Sequence, residues 1–140
     1  MARQKYLLDT CICVYWLRDK FNVKDHINKV GISNCFISEI SVAELKYGRE
    51  YGILKGGTRY KDQRLEEFFN AINIIPISSV FDHYAKEKAR LTLVGKPTSD
   101  FDLLIGCTSV ANKLVMVTQN IKDYKNIKDI RLENWIDISK

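Results

Sequence analysis

Short apolar runs alternate with amphipathic segments along almost the whole chain. Several of the runs are rich in β-branched residues, and their length between polar neighbours predicts buried β-strands. Pro76 predicts that the third strand lies at an edge of the sheet or ends there, because proline cannot donate to a central ladder. The predicted strands cover residues 5–9, 34–37, 73–77, 114–118 and 130–135.

The segments between these runs carry apolar residues at helical spacing, and several follow a serine or threonine that suits an N-cap. Thr10 is the predicted cap of the first helix, Ser38 caps the third, and Ser78 or Ser79 caps the fifth. Helices are predicted over residues 11–19, 21–30, 59–70 and 81–93, over a stretch after residue 38 that ends near residue 48, over a segment from residue 100, and as a short turn from residue 123.

Strands and helices therefore alternate at lengths that suit crossover connections between parallel strands. This order predicts an α/β fold, a three-layer α/β/α domain with a mostly parallel sheet of four to five strands. Residues 1–140 contain no repeat or linker, so we expect one domain.

Composition adds little to this interpretation but excludes some classes of protein. A net charge of +5 permits a nucleic-acid partner, and no apolar run is long enough to span a membrane or to form a signal peptide. The four cysteines lack metal-binding spacing, and we expect them to be reduced and mostly buried in a cytoplasmic protein.

Acidic and polar residues recur at the carboxyl ends of the predicted strands and at the starts of the helices that adjoin them. This edge of an open α/β sheet is where ligands bind. Each residue also has a purely structural explanation, as a helix cap, a helix-start acid, a turn residue or a solvated helix residue. Together they form one candidate site, made of Asp9, Glu44, Asp102, Asn120 and Asp123, with Thr10 and Thr118 offering hydroxyls.

Crowded carboxylates repel each other by about 4 kcal/mol per pair at 4 Å and an effective dielectric constant near 20. A fold tolerates this when a cation neutralises the cluster or when one acid stays protonated. Oxygen ligands suit Mg²⁺ or Mn²⁺, which can polarise a phosphoryl oxygen and generate hydroxide from bound water.

Other chemistries fit the sequence less well. His26 and His83 lie outside these segments, which argues against a Ser-His or Cys-His nucleophile. Neither a Walker A loop nor a dinucleotide-binding glycine motif is present. A phospho-acceptor domain would need an acid after the third strand, and an aspartyl phosphatase would need one where Cys11 stands.

Five motifs in this order resemble those of PIN-domain toxins of the VapC type, almost from end to end. They are LLDTCIC (residues 7–13), ISEISVAELKYG (37–48), DFDLLI (100–105), VTQN (117–120) and RLENW (131–135). The resemblance implies an endoribonuclease that depends on Mg²⁺ or Mn²⁺ and hydrolyses structured RNA such as tRNA, leaving a 5′-phosphate and a 3′-hydroxyl. It also implies a homodimer and a cognate VapB-type antitoxin that fills the active-site groove.

The resemblance further implies roles for individual residues. Asp9, Glu44 and Asp102 take the places of the three main family acids and would hold the metal, with Glu44 either binding it or orienting water. Asn120 stands where many members carry a fourth acid and others carry Asn, so the choice between one and two metals stays open. Asp100 is an extra acid that either assists or caps the helix.

The remaining implied roles are auxiliary ones, and two other functions are compatible with the same fold. Asp123 would act through an outer-shell water, and Thr118 would position water or ligands. The rivals are a PIN-fold nuclease that acts on DNA or in ribosomal-RNA processing, and a non-catalytic binding module. The candidate RNA-binding cations are Lys46, Arg49 and Lys96.

Overall fold

The structure, a computed structural model, describes residues 3–57 and 62–136. Five strands in these ranges form one parallel sheet in the order β3-β2-β1-β4-β5. The fold prediction is thereby confirmed, and β3 lies at an edge as Pro76 indicated. The strands are β1 (Tyr6–Leu8), β2 (Cys35–Ser38), β3 (Asn73–Ile75), β4 (Val115–Val117) and β5 (Leu132–Glu133).

Helices connect successive strands and cover both faces of this sheet. Two 3-10 turns, Ile32–Asn34 and Ile77–Val80, precede β2 and the fifth helix. The helices of the described residues are α1 (Thr10–Leu17), α2 (Val23–Val30), α3 (Glu39–Leu54), α4 (Asp62–Ala71), α5 (Phe81–Leu93), α6 (Asp100–Ala111) and α7 (Ile121–Tyr124).

Two hydrophobic clusters lie on opposite faces of the sheet, because neighbouring residues of a strand point to opposite sides. Leu8 of β1 packs with α1 to α4, including Leu45 and Phe68. Leu7 packs on the other face with α5 and α6, including Leu91. All five side chains are at most 1% exposed, so β1 is the centre of the core.

Two of the three predicted helix caps are wrong. Asp9, not Thr10, is the N-cap of α1, and its carboxylate accepts the Thr10 amide. Ser38 caps α3 as predicted, accepting from the amide of Ile40. Neither Ser78 nor Ser79 caps α5, because a 3-10 turn leads into that helix without a side-chain cap.

Some predicted boundaries also shift. The third helix runs through Gly48 to Leu54, because one helical glycine costs only about 1 kcal/mol relative to alanine. The turn after β4 begins at Ile121 rather than at Asp123. The predicted start of the fourth helix at Arg59 lies outside the described residues.

The four cysteines are free, and three of them are buried, whereas Cys11 is half-buried. Within the described ranges, every helix is too short or too polar to cross a lipid bilayer.

Candidate active site

Asp9 lies at the carboxyl end of the central strand and is only 5% exposed. Its Oδ1 accepts from the Thr10 amide at 2.8 Å and from the Tyr124 hydroxyl at 3.0 Å. Its Oδ2 accepts from the Thr118 hydroxyl at 2.8 Å and from the Cys11 thiol at 3.6 Å. The carboxylate is therefore fixed by donors from its own helix start, from the end of β4 and from α7.

Asp102 reaches the same place from the first turn of α6. Ser99 caps this helix and accepts from the Asp102 amide at 3.4 Å, so the Asp102 side chain is not needed as the cap. Its Oδ1 lies 3.1 Å from the Tyr124 hydroxyl, which also contacts Asp9. A single buried hydroxyl thus joins two carboxylates that are 93 residues apart in sequence.

Glu44 joins this pair through Thr10. The Thr10 hydroxyl donates to Glu44 Oε1 at 2.6 Å and also lies 2.8 Å from the hydroxyl of buried Ser41. Because the Thr10 amide contacts Asp9, this one residue bridges the end of β1 and the second turn of α3. The three acids therefore form one connected hydrogen-bond network.

The electrostatics of the site disfavour a full set of negative charges. Burial is the main cause that raises the pKa of Asp9, against the hydrogen bonds from Thr118, Thr10 and Tyr124 that lower it. Burial also raises the pKa of Glu44, and the charges of Asp9 and Asp102 add to that increase. A bound cation would stabilise the ionised forms of these carboxylates.

The donor set fits a hard divalent cation. In residues 3–57 and 62–136, no three Asp, Glu, His or Cys side chains are close enough to enclose an ion, and hydroxyls connect the acids of the site. Mg²⁺ usually needs only one or two carboxylates and keeps several waters. Asp9 and Asp102 offer only oxygen atoms and meet that requirement. Glu44 is connected to Asp9 through Thr10.

The other predicted site residues occupy the same sheet edge but differ in what they contact. Thr118 is fully buried against Asp9, and its hydroxyl accepts from the Asn120 amide at 3.0 Å. Asn120 is exposed just beyond β4, and Asp123 is exposed on α7. Both are open to solvent near the site, which leaves their predicted roles untested.

Asp100 is engaged away from the acid pair. Its Oδ1 accepts from the Tyr84 hydroxyl and from Lys88 Nζ, each at 2.7 Å. These bonds connect the first residue of α6 to α5, and the Lys88 ammonium is the main cause that lowers the pKa of Asp100. These contacts give Asp100 a structural explanation, and its auxiliary role stays a prediction.

The three predicted RNA-binding cations lie in different surroundings. Lys46 and Lys96 are exposed, the first on α3 and the second in the turn before α6. Arg49 is only half-exposed and forms ion pairs with Glu50 at 3.3 Å and with Glu66 at 3.7 Å. Lys46 and Lys96 are thus more exposed than Arg49, and the RNA-binding role of all three stays a prediction.

Sequence reasoning missed Tyr124 and Ser41 as members of this network. The one available signal for Tyr124 was an aromatic residue with a polar tip just after β4, since buried tyrosines usually find a hydrogen-bond partner. Gly106 of α6 packs closely against this segment, because a Cβ there would overlap the Ile127 Cδ1, which would have to shift, and would lie 3.4 Å from the Tyr124 ring. Its hydrogen side chain allows the Tyr124 segment to approach α6.

Comparison with known proteins identifies the family of this chain. Residues 6–129 match the family model of the PIN domain. The chain is 33% identical to Ribonuclease VapC2 of Rickettsia felis, over 93% of this chain and 97% of the relative. It is 26% identical to the tRNA(fMet)-specific endonuclease VapC of Salmonella typhimurium, over 94% and 98% of the two chains.

Solved structures give the same result. A chain in the crystal structure of DNA-bound VapBC from Salmonella typhimurium superposes with a TM-score of 0.80 at 26% identity, covering 94% of this chain and 98% of that one. A chain of VapBC2 from Rickettsia felis, bound to a promoter DNA fragment, gives 0.78 at 28% identity, with coverage of 94% and 99%.

Proposed function

This chain belongs to the PIN-domain family, and on that premise we propose that it is a VapC-type ribonuclease, the toxin of a type II toxin–antitoxin pair. The family model and the relatives named as ribonucleases cover nearly the whole chain, which supports treating residues 1–140 as one nuclease domain. We propose that it acts in the cytoplasm on structured RNA, with tRNA as the first candidate because one relative is named for a tRNA.

One observation carries the catalytic part of this proposal. The carboxylates of Asp9 and Asp102 come within 3.0 and 3.1 Å of a single hydroxyl at the carboxyl edge of the sheet, and Glu44 joins them through Thr10. Three acids in a connected, partly buried network are costly unless they have a cation to bind. Their arrangement suits metal-assisted hydrolysis of a phosphodiester bond.

Asp9 and Asp102 would hold the Mg²⁺ or Mn²⁺, which when bound polarises a phosphoryl oxygen and stabilises charge in the transition state. Thr118 and the Thr10 amide keep the Asp9 carboxylate in one orientation, so little reorganisation is needed. Glu44 would accept a proton from the attacking water, since its raised pKa brings it closer to the range of a useful base. The products carry a 5′-phosphate and a 3′-hydroxyl.

The RNA backbone would follow exposed cations, among which Lys46 and Lys96 are the candidates. Asn120 would position water or a metal ligand from the end of β4. Sequence itself would be read from RNA shape and from unpaired bases rather than from a duplex groove, as is usual for proteins that bind structured RNA.

A VapB-type antitoxin is the proposed partner, since the neighbouring solved structures are VapBC complexes. Tyr47 and Tyr51 follow Glu44 along one face of α3, because residues three and four apart lie on the same side of a helix. Tyr47 is 67% exposed, so it does not complete the core, and its ring stacks on Tyr51 at 5.9 Å. An extended antitoxin segment would cover this stripe and place a basic side chain on the acids.

Induced expression in bacteria tests the proposed function. The parent chain should arrest growth and produce RNA fragments that begin with a 5′-phosphate, detected by sequencing of RNA ends. Asp102→Asn should remove both effects, because the amide keeps the shape but not the charge that holds the cation. Asp82→Asn is the matched control, since Asp82 is an exposed acid in the first turn of α5 and should leave both effects unchanged.

The outcomes separate the alternatives. Growth arrest by Asp102→Asn at equal protein level would refute the catalytic assignment. Arrest without RNA fragments, combined with cleavage of DNA by the purified protein, would identify a DNA nuclease on the same fold. Co-expression with a small basic antitoxin from the adjacent reading frame should restore growth.

A further inference from the structure

Tyr124 is the side chain with the most unusual position in this site. It ends α7, is 1% exposed, and packs its ring in the core with residues of α6 and with Ile127. Only its hydroxyl is polar, and that atom lies between Asp9 Oδ1 and Asp102 Oδ1 at 3.0 and 3.1 Å. The ring therefore delivers one neutral donor to the carboxylate pair.

The hydrogen bonds of Asp9 show why this donor differs from the others. An ionised carboxylate offers about four acceptor positions, and Asp9 receives four donors in all. The Thr10 amide and the Thr118 hydroxyl belong to the backbone and to the strand edge that fix Asp9, and the Cys11 thiol is a weak donor. Of these four, only Tyr124 also contacts Asp102.

We propose that Tyr124 is a positioning residue, and that in the metal-free protein its hydroxyl occupies the place between the two carboxylates that the cation takes when it binds. This inference rests on the proposed function, because it concerns the same pair of acids. A hydroxyl between two carboxylates reduces their repulsion and keeps the two side chains close together. It also faces one oxygen of each carboxylate, so a cation that draws on these two oxygens would displace this hydrogen-bond arrangement.

The packing around the ring indicates that a cation would replace the hydrogen bonds of the hydroxyl without moving the whole side chain. Gly106 lets the segment that follows Tyr124 lie directly on α6, and a Cβ at Gly106 would be 3.4 Å from the ring and 3.5 Å from Ile130 Cδ1. Because the ring is held on this side, the simplest response to a cation is rotation of the O–H bond and a small shift of the carboxylates.

Tyr124→Phe separates this role from a merely structural one, since phenylalanine keeps the ring and removes only the hydroxyl. Without metal, the variant should melt lower by roughly 3–8 °C, because a charge-assisted hydrogen bond is lost and the acids repel more. Its affinity for Mn²⁺ should rise by roughly three- to tenfold, because no donor has to be displaced. The two changes thus have opposite signs.

The experiment is a thermal melt in EDTA and a calorimetric Mn²⁺ titration of the full chain, both at constant ionic strength. Tyr84→Phe is the matched control, because the Tyr84 hydroxyl donates to Asp100 at 2.7 Å and does not contact the acid pair. This control should leave Mn²⁺ affinity unchanged within about twofold.

Lower stability of Tyr124→Phe together with equal or weaker Mn²⁺ binding would overturn the inference and leave a structural or ligand-orienting role. Unchanged stability and unchanged affinity would overturn it as well. Either result in a parent that binds Mn²⁺ leaves the proposed function intact. If the parent protein binds no Mn²⁺, that result would instead overturn both the metal role in the proposed function and this inference about Tyr124.

Discussion

Glu87 is the buried acid outside the site whose removal can be predicted with the most detail. It is 6% exposed on α5, and its two oxygens accept from Arg90 Nε and Nη2, each at 2.7 Å. The Lys128 amide also donates to it at 2.6 Å, and Arg90 donates to the carbonyl of Asn126 at 2.8 Å. Glu87 therefore fastens the segment after α7 to α5.

Glu87→Gln keeps the shape of the side chain and removes its charge. Hydrogen bonds to a charged group contribute about 1.5–3 kcal/mol each in mutational series, but one amide oxygen still accepts in the variant. The Arg90 side chain is 39% exposed, so water partly replaces its lost partner, and the loss should fall below the 3–5 kcal/mol typical of a fully buried pair. We expect the free energy of unfolding to fall by about 1.5–3 kcal/mol at pH 7.

The effect should depend on pH in a defined direction. The hydrogen bonds from Arg90 are the main cause that holds the pKa of Glu87 below its ordinary value. A lowered pKa in the folded state contributes stability that is complete above the unfolded value, near 4.3, and is lost as pH falls through the folded value. The difference in free energy of unfolding between parent and variant, called the gap below, should therefore be constant above about pH 5 and should narrow below about pH 4.

Urea unfolding of both proteins between pH 7 and pH 3 measures this gap. The raised pKa values of Asp9 and Glu44 change stability in the opposite direction, but they are common to both proteins and cancel in the difference. Glu67→Gln is the control, since Glu67 is exposed on α4, and should change stability by less than about 0.5 kcal/mol. A gap below about 0.5 kcal/mol at pH 7, or one that does not narrow in acid, would refute this reasoning.

Three further predictions concern packing, the site and assembly. Gly106→Ala should destabilise the chain by about 1–2 kcal/mol in urea, because overpacking against Ile127 exceeds the gain in helix propensity; a more stable variant would contradict the close approach to α6. Asn120→Asp should tighten Mn²⁺ binding in calorimetry by adding a carboxylate beside the site, and unchanged affinity would show that this side chain faces away. Light scattering at micromolar concentration should give twice the 16.2 kDa chain mass, whereas a monomer mass would exclude the homodimer.

Local signals predicted the fold well because strand and helix patterns are properties of neighbouring residues. The cap at Ser38 and the edge position of β3 follow from side-chain chemistry near each position. The end of α3 was harder to predict, since Gly48 is a weak stop and α3 continues to Leu54. The 3-10 turn before α5 has no comparable sequence signal.

The acids of the site were accessible from sequence for a simple reason. Parallel strands present their carboxyl ends at one edge, and the helices between them run back from that edge, so Asp9 after β1 and the starts of α3 and α6 that carry Glu44 and Asp102 lie there together. The hydroxyls of Thr10 and Thr118 were accessible in the same way, whereas the hydroxyl of Tyr124 was not. The contact of Tyr124 with Asp9 spans 115 residues and depends on tertiary packing, including the close approach of the Tyr124 segment to Gly106 of α6.

Single-turnover cleavage of a purified tRNA transcript tests the central claim most directly. The account predicts that the parent cleaves it with Mn²⁺ or Mg²⁺ and not with EDTA, leaving 5′-phosphate and 3′-hydroxyl ends. Asp102→Asn should lose at least roughly a hundredfold in rate, whereas Asp82→Asn should stay within about twofold of the parent. Cleavage by Asp102→Asn at the parent rate, or equal cleavage in EDTA, would contradict the claim that these acids bind the catalytic cation.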